Sequence, residues 1–68
     1  MNWQDIKSSA ICSIAYELDQ GLFVLFQDGT EYLYKNAPIG VFKAWLKAES
    51  KGRFFNMNIR GKFEGFEV

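Results

Sequence analysis

The stretch "SKGRFFNMNIRGK", residues 50–62, holds Lys51, Arg53, Arg60 and Lys62 with no acid among them, interleaved with Phe54, Phe55, Asn56 and Asn58. These residue types suit recognition of an anionic, ring-bearing ligand. Arginine presents a planar fork to phosphate or carboxylate. Asparagine amides donate to and accept from base edges or backbone carbonyls, and a phenyl face stacks a nucleobase for about 1–3 kcal/mol. Arg53, Asn56, Asn58, Arg60 and Lys62 are therefore the first candidates for a nucleic-acid contact. Lys43, Lys47 and Lys51, four apart, add a basic stripe if the preceding segment is helical. Taken alone, such a stripe is also the ordinary way to solvate a helix. Phe55 and Ile59 read as core anchors, and Gly52 and Gly61 as helix stops.

Tyr32 and Tyr34 form a second aromatic pair, two apart on one face of a strand, where they could stack successive bases. Leu33 lies between Glu31 and Lys35 on the opposite, wetter-looking face. That directs the tyrosines into the core, with their hydroxyls toward its rim. Catalytic chemistry has far less to draw on. The chain has no histidine, so the easiest general base near neutral pH is missing. Cys12, among Ile11, Ile14 and Tyr16, has the setting of a buried structural thiol rather than of a nucleophile. Asp5, Glu17, Asp19, Asp28 and Glu31 form no acid–base pair or calcium loop, and the glycines are dispersed rather than gathered in a phosphate loop. No enzyme activity, cofactor or metal is expected.

The elements that position these residues follow from periodicity. "AICSIAYEL" alternates as a strand, with Cys12, Ile14, Tyr16 and Leu18 on its larger apolar face. "LFVLF" reads as a central strand buried on both faces. Gly21 suits a turn needing positive φ, and Asp28-Gly29 signals a hairpin leading to a third strand, "TEYLYK". Beyond Pro38, suited to a first helical turn, residues 39–50 show helical spacing that Gly52 would end. "RFFNMNIR" fits either period, and a short second helix ended by Gly61 is the better match because asparagine is disfavoured in strands. Phe63 and Phe66 would close the core. The expected fold is α+β, a three-stranded antiparallel meander followed by one main helix and a short second helix packed on one face.

At 68 residues the chain makes one domain, 1–68, with an aromatic-rich core in place of staples, since Cys12 is its single cysteine. That lone thiol fits a reducing compartment. "MNWQDIKSS" lacks the apolar segment of a secretory signal, and the longest apolar run, residues 22–26, is far too short to span a membrane. The expected location is the cytoplasm. The formal charge is zero, yet residues 1–34 carry five acids and one base, while residues 35–68 carry seven bases and three acids. If folding preserves it, such polarity steers charged partners.

The segments "SSAICSIAYE", "LFVLFQDGTEYLYKNAP" and "FKAWLKAESKGRFFNMNIRGKF" together resemble the KTSC domain family. Ser8, Ser9, Ala10 and Ile11 match its opening Ser-Ser-x-Ile. Tyr32, Leu33 and Tyr34 match its Tyr-x-Tyr, and Pro38 its proline. Ala48, Ser50, Gly52, Phe55, Asn56 and Ile59 match its closing pattern. The likeness spans residues 8–63. It implies a small domain of bacterial and phage proteins, found also at the C-terminus of some lysyl-tRNA synthetases, and it brings no catalytic or metal residues. Two functions follow as expectations. One is a non-catalytic module binding RNA, tRNA included, or another nucleic acid through the basic C-terminal half. The other is a protein-interaction module, either a homodimer or a domain docking a bacterial or phage partner.

Overall fold

The computed structural model describes residues 1–68. Alternating apolar residues build an antiparallel sheet from β1 (Gln4–Asp5), β2 (Ile11–Glu17), β3 (Gly21–Phe26), β4 (Glu31–Tyr34) and β5 (Gly65–Glu67), in the spatial order β1-β2-β3-β4-β5. The meander β2-β3-β4 stands as expected, but the sheet has five strands rather than three. The two extra strands are only two and three residues long, too short to show a period. Gly21 and Gly29 both take positive φ, 132° and 92°. Thr30 closes the second hairpin, accepting at its carbonyl from the Phe26 N–H, while Gly29 N–H donates to the Phe26 carbonyl. This is a three-residue loop whose glycine occupies the left-handed position.

Helices α1 (Ile39–Lys47) and α2 (Lys51–Asn58) cover one face of the sheet. The core there joins Ile11, Ile14, Leu22, Val24, Tyr34 and Ala37 to Trp45 of α1 and to Phe55 and Ile59. A β-bulge between Ile11 and Ser13 explains a departure from simple alternation. It turns Ile11 onto the same face as Ile14, leaves Cys12 half-buried, and is the register device such bulges supply. Cys12 is thus not an inward core residue, and Leu18, beyond the strand, is 83% exposed.

The helical stretch also divides differently. It does not run to Ser50, and Gly52 is no left-handed stop. α1 ends at Lys47, Ala48 turns extended (φ −68°, ψ 141°), and Ser50 caps α2 by accepting from Arg53 N–H at 3.3 Å. Such a cap outweighs continued helical periodicity because it satisfies an otherwise orphaned N–H. Gly52 lies inside the first turn of α2, and that helix ends at Asn58 with Ile59 as its C-cap; Gly61, at φ 77°, shapes the turn two residues further on rather than the helix end itself.

On the helix-free face, Ala15, Phe23 and Leu33 are buried beneath Trp3, whose ring meets Phe23 edge-on at 6.4 Å. The Leu33 face is therefore a second small core and not the wet side. Phe66 pairs beside Leu33 on this face and is 41% exposed, so only Phe63 of the two tail rings packs on the main core. Where β5 crosses Tyr34, Gly65 is required. A Cβ there would sit 2.6 Å from Tyr34 Cε1, and the buried ring has nowhere to move. Gly65→Ala should lower stability by about 1–3 kcal/mol in urea unfolding. Gly40 lies in the first turn of α1, where a Cβ would have nothing within 4 Å, and should gain about 0.4–1 kcal/mol as alanine.

Candidate ligand-binding cleft

The β3–β4 hairpin and the C-terminal end of α2 flank an open, shallow cleft of about 500 Å³. Its walls are aromatic: Phe26, Tyr32, Tyr34 and Phe55. Tyr32 and Tyr34 run nearly parallel, with centroids 6.3 Å apart and planes at 26°. Phe26 meets Tyr32 and Phe55 edge-on at 5.8 and 5.7 Å, and Phe55 meets Tyr34 edge-on at 6.1 Å. The period-two alternation of β3 and β4 delivers the first three rings to one face, and α2 lays the fourth over them.

Polar groups complete the lining. Arg60 reaches it from just beyond α2, and Asp28 and Thr30 from the hairpin. Thr30 donates to Asp28 Oδ1 from both its backbone N–H, at 3.0 Å, and its hydroxyl, at 2.7 Å. These bonds hold the Asp28 carboxyl below the ordinary carboxylate value, the backbone bond foremost. Tyr34 shifts the other way. Burial, reinforced by neighbouring Tyr32 and partly opposed by Arg60, raises its phenol above the ordinary 10.0. The hairpin is tied down behind the cleft by Gln27, which donates from N–H to the Ala10 carbonyl at 2.9 Å and from Nε2 to the Ser8 and Ile11 carbonyls.

The eight candidate residues do not form one surface. Arg60 alone lines the cleft. Arg53, Asn56 and Lys62 are exposed on and beyond α2, and Lys43 and Lys47 on α1. The third lysine of the stripe is diverted, because the helix breaks before it. Lys51 Nζ turns back to donate to the carbonyls of Leu46, at 3.0 Å, and Ala48. It neutralises the C-terminal end of α1, as a cation in that position should. Asn58 spends its amide on the Phe54 carbonyl, 3.2 Å away. The expectation that the tyrosines serve the core holds for Tyr34, which is buried, and both tyrosines also wall the cleft. Phe26, Asp28 and Thr30 were not among the candidates. The signal for Phe26 was its parity with Leu22 and Val24. That for Asp28 and Thr30 was the hairpin that folds them back beside Tyr32.

Charge polarity survives folding. By register, Asp5, Glu17 and Glu31 share the helix-free face, while six of the eight bases lie on the helices and the turn that follows. No helix is long and apolar enough to cross a membrane.

The chain has matches among known proteins and families. The family described as KTSC domain matches residues 7–63. A protein of Tsukamurella paurometabola is 41% identical over 61 residues, covering 88% of this chain and 91% of that one. A protein of Stutzerimonas stutzeri is 38% identical over 52 residues, covering 75% and 73%. The crystal structure of a KTSC domain protein from Yersinia pestis superposes with a TM-score of 0.89 at 36% identity, covering 98% of this chain and 96% of that one.

The raised Tyr34 value has a consequence for stability. The folded chain binds this proton more tightly than the unfolded chain does, so the stabilisation is complete below pH 10.0. It is lost as pH rises through the folded value. In urea unfolding between about pH 8 and 11, Tyr34→Phe should show a shallower alkaline decline than the parent protein. Equal slopes would place Tyr34 in contact with solvent.

Proposed function

The chain belongs to the KTSC domain family, and we propose that this member is a non-catalytic module that binds single-stranded RNA in the cytoplasm. The observation that supports this most is the cleft, where stacked Tyr32 and Tyr34 stand beside the Arg60 guanidinium. Sequence-tolerant binding of single strands needs that combination of a ring face and a cation. The edge-to-face arrangement of Phe26 and Phe55 keeps the walls rigid, so little order has to be imposed on binding. Arg53, Asn56 and Lys62, all exposed, are available to the flanking phosphates and sugars. Lys43 and Lys47 add a diffuse field rather than contacts at the cleft.

Amide NMR of the labelled protein with a tRNA mixture tests this. Shifts should centre on Tyr32, Tyr34, Phe55 and Arg60 at low salt. Affinity should fall roughly tenfold or more between about 50 and 200 mM salt if three phosphates are neutralised. Arg53→Glu combined with Arg60→Glu should abolish retention on immobilised RNA at low salt. Unchanged retention overturns the reading.

A second reading, docking to a protein partner or to another copy of the chain, draws on Met57. This side chain is 63% exposed on α2 next to Asn56, and methionine is typical of adaptable interfaces. It predicts a salt-insensitive complex that Met57→Ala weakens, whereas a strict monomer in sedimentation with no salt-resistant partner counts against it.

A further inference from the structure

A site made only for phosphate and stacking would not hold a carboxylate in the same lining as its cation, because like charges repel the incoming anion. The cleft holds one. Asp28 is fully ionised at neutral pH and oriented by two hydrogen bonds from Thr30, both of which end on Oδ1. Oδ2 is left to accept from a ligand. The four rings and a carboxylate would also suit a methylated ammonium, but Arg60 lines the same cleft and would repel a simple cation. The ligand that satisfies every group present carries a planar ring, N–H donors for Asp28 and an anionic group for Arg60.

Among the four RNA bases the donor pattern decides which ring. Guanine sets N1–H and N2–H₂ side by side on its Watson–Crick edge. Adenine and cytosine each place a ring-nitrogen acceptor next to their one amino donor, and uracil flanks its single N–H with two carbonyls. An ionised carboxylate can only accept, so guanine meets it with two donors and no opposing lone pair. A cleft of about 500 Å³ lies within the range for one small ligand, about 300–1,000 Å³, and has room for one nucleotide rather than a run of bases.

We propose that the cleft is a guanine-selective pocket for one unstacked nucleotide of single-stranded RNA, an inference that rests on the RNA reading above. The base stacks against the Tyr32–Tyr34 wall, Asp28 accepts from its Watson–Crick edge, and Arg60 pairs with its phosphate.

The test uses four RNA pentamers of equal charge, UUGUU, UUAUU, UUCUU and UUUUU, titrated into the whole chain. UUGUU should bind about tenfold more tightly than the others, the discrimination expected of a good base-edge contact. Asp28→Asn keeps an Oδ1 acceptor for Thr30, and so keeps the hairpin. It should erase the preference without abolishing binding, and Arg60→Ala should weaken all four pentamers by a similar factor. Equal, salt-sensitive binding of the four pentamers by the parent protein overturns the guanine pocket and leaves the RNA reading standing. Binding of none overturns both, and so does a shift of the Tyr32 and Tyr34 signals by tetramethylammonium alone. A guanine preference that persists in Asp28→Asn overturns the assignment of Asp28.

Discussion

Trp45 is the constraint on which the arrangement of the helices depends. Its side chain has no exposure, and both rings of the Phe54-Phe55 pair stack on it, at 6.0 and 5.7 Å. Its indole N–H donates to the Lys51 carbonyl at 3.0 Å, in the first turn of α2. A buried indole needs such a partner, and here the partner belongs to the other helix. One side chain of α1 therefore fixes where α2 starts and which way it points. Lys51 works in the reverse direction, with Nζ on the last carbonyls of α1. Two short helices of nine and eight residues, neither stable alone, are locked into one angular unit.

The cleft is a consequence of that lock. With α2 held at Trp45, Phe55 comes down between Phe26 and Tyr34, and the chain leaving α2 brings Arg60 to the rim. The opposite wall is set by the sheet. Gly65 allows the Tyr34 ring to lie across β5, and Tyr34 in turn sets the pitch of Tyr32. On the far side of the main core, the Tyr16 hydroxyl donates to the Ala37 carbonyl at 2.7 Å, which holds the β4–α1 connection while its ring packs on Phe42 at 5.9 Å. Aromatic contacts thus supply the rigidity that a chain of this size cannot draw from a large aliphatic core.

Much of this was legible in the sequence, and the limits have physical causes. The run "LFVLF", Gly21 and the Asp28-Gly29 turn specify the central strand and its two hairpins through local chemistry alone. The break between the helices was hidden because residues 39–50 keep helical spacing past Lys47. What ends α1 is a contact between Trp45 and a carbonyl six residues ahead, together with the Ser50 cap, and neither has a periodic signature. The bulge at Cys12 was invisible for the same reason, since it is set by pairing with β3. Leu33 misled because its neighbours Glu31 and Lys35 are charged, while its burial comes from Phe23 and from Trp3 at the far edge of the sheet. Among the site residues, Arg60 and the tyrosines were legible as types. Their meeting was not, because it requires the path of α2 across the sheet.

The distribution of charge completes the relation between fold and site. A meander followed by helices on one face sorts the chain by order. The acid-rich first half forms four of the five strands and sets Asp5, Glu17 and Glu31 on the helix-free side, while the base-rich second half forms the covering helices and the edge strand β5. A polarity written along the sequence becomes a polarity across the molecule, even though the total charge is zero. For a body with extents of 27 × 24 × 24 Å, the two faces lie more than two Debye lengths apart at physiological salt, about 8 Å each. An anion near the helices therefore feels the cations there with little cancellation from the acids behind the sheet. Asp28 is the exception that sharpens this separation. It is the one acid in the lining of the cleft, on the β3–β4 hairpin, and its two bonds from Thr30 orient its carboxylate there. The bonds alone are an ordinary Asx turn; what sets this one apart is that it lines a cleft with four rings and Arg60, so that both signs are within reach of a ring held there.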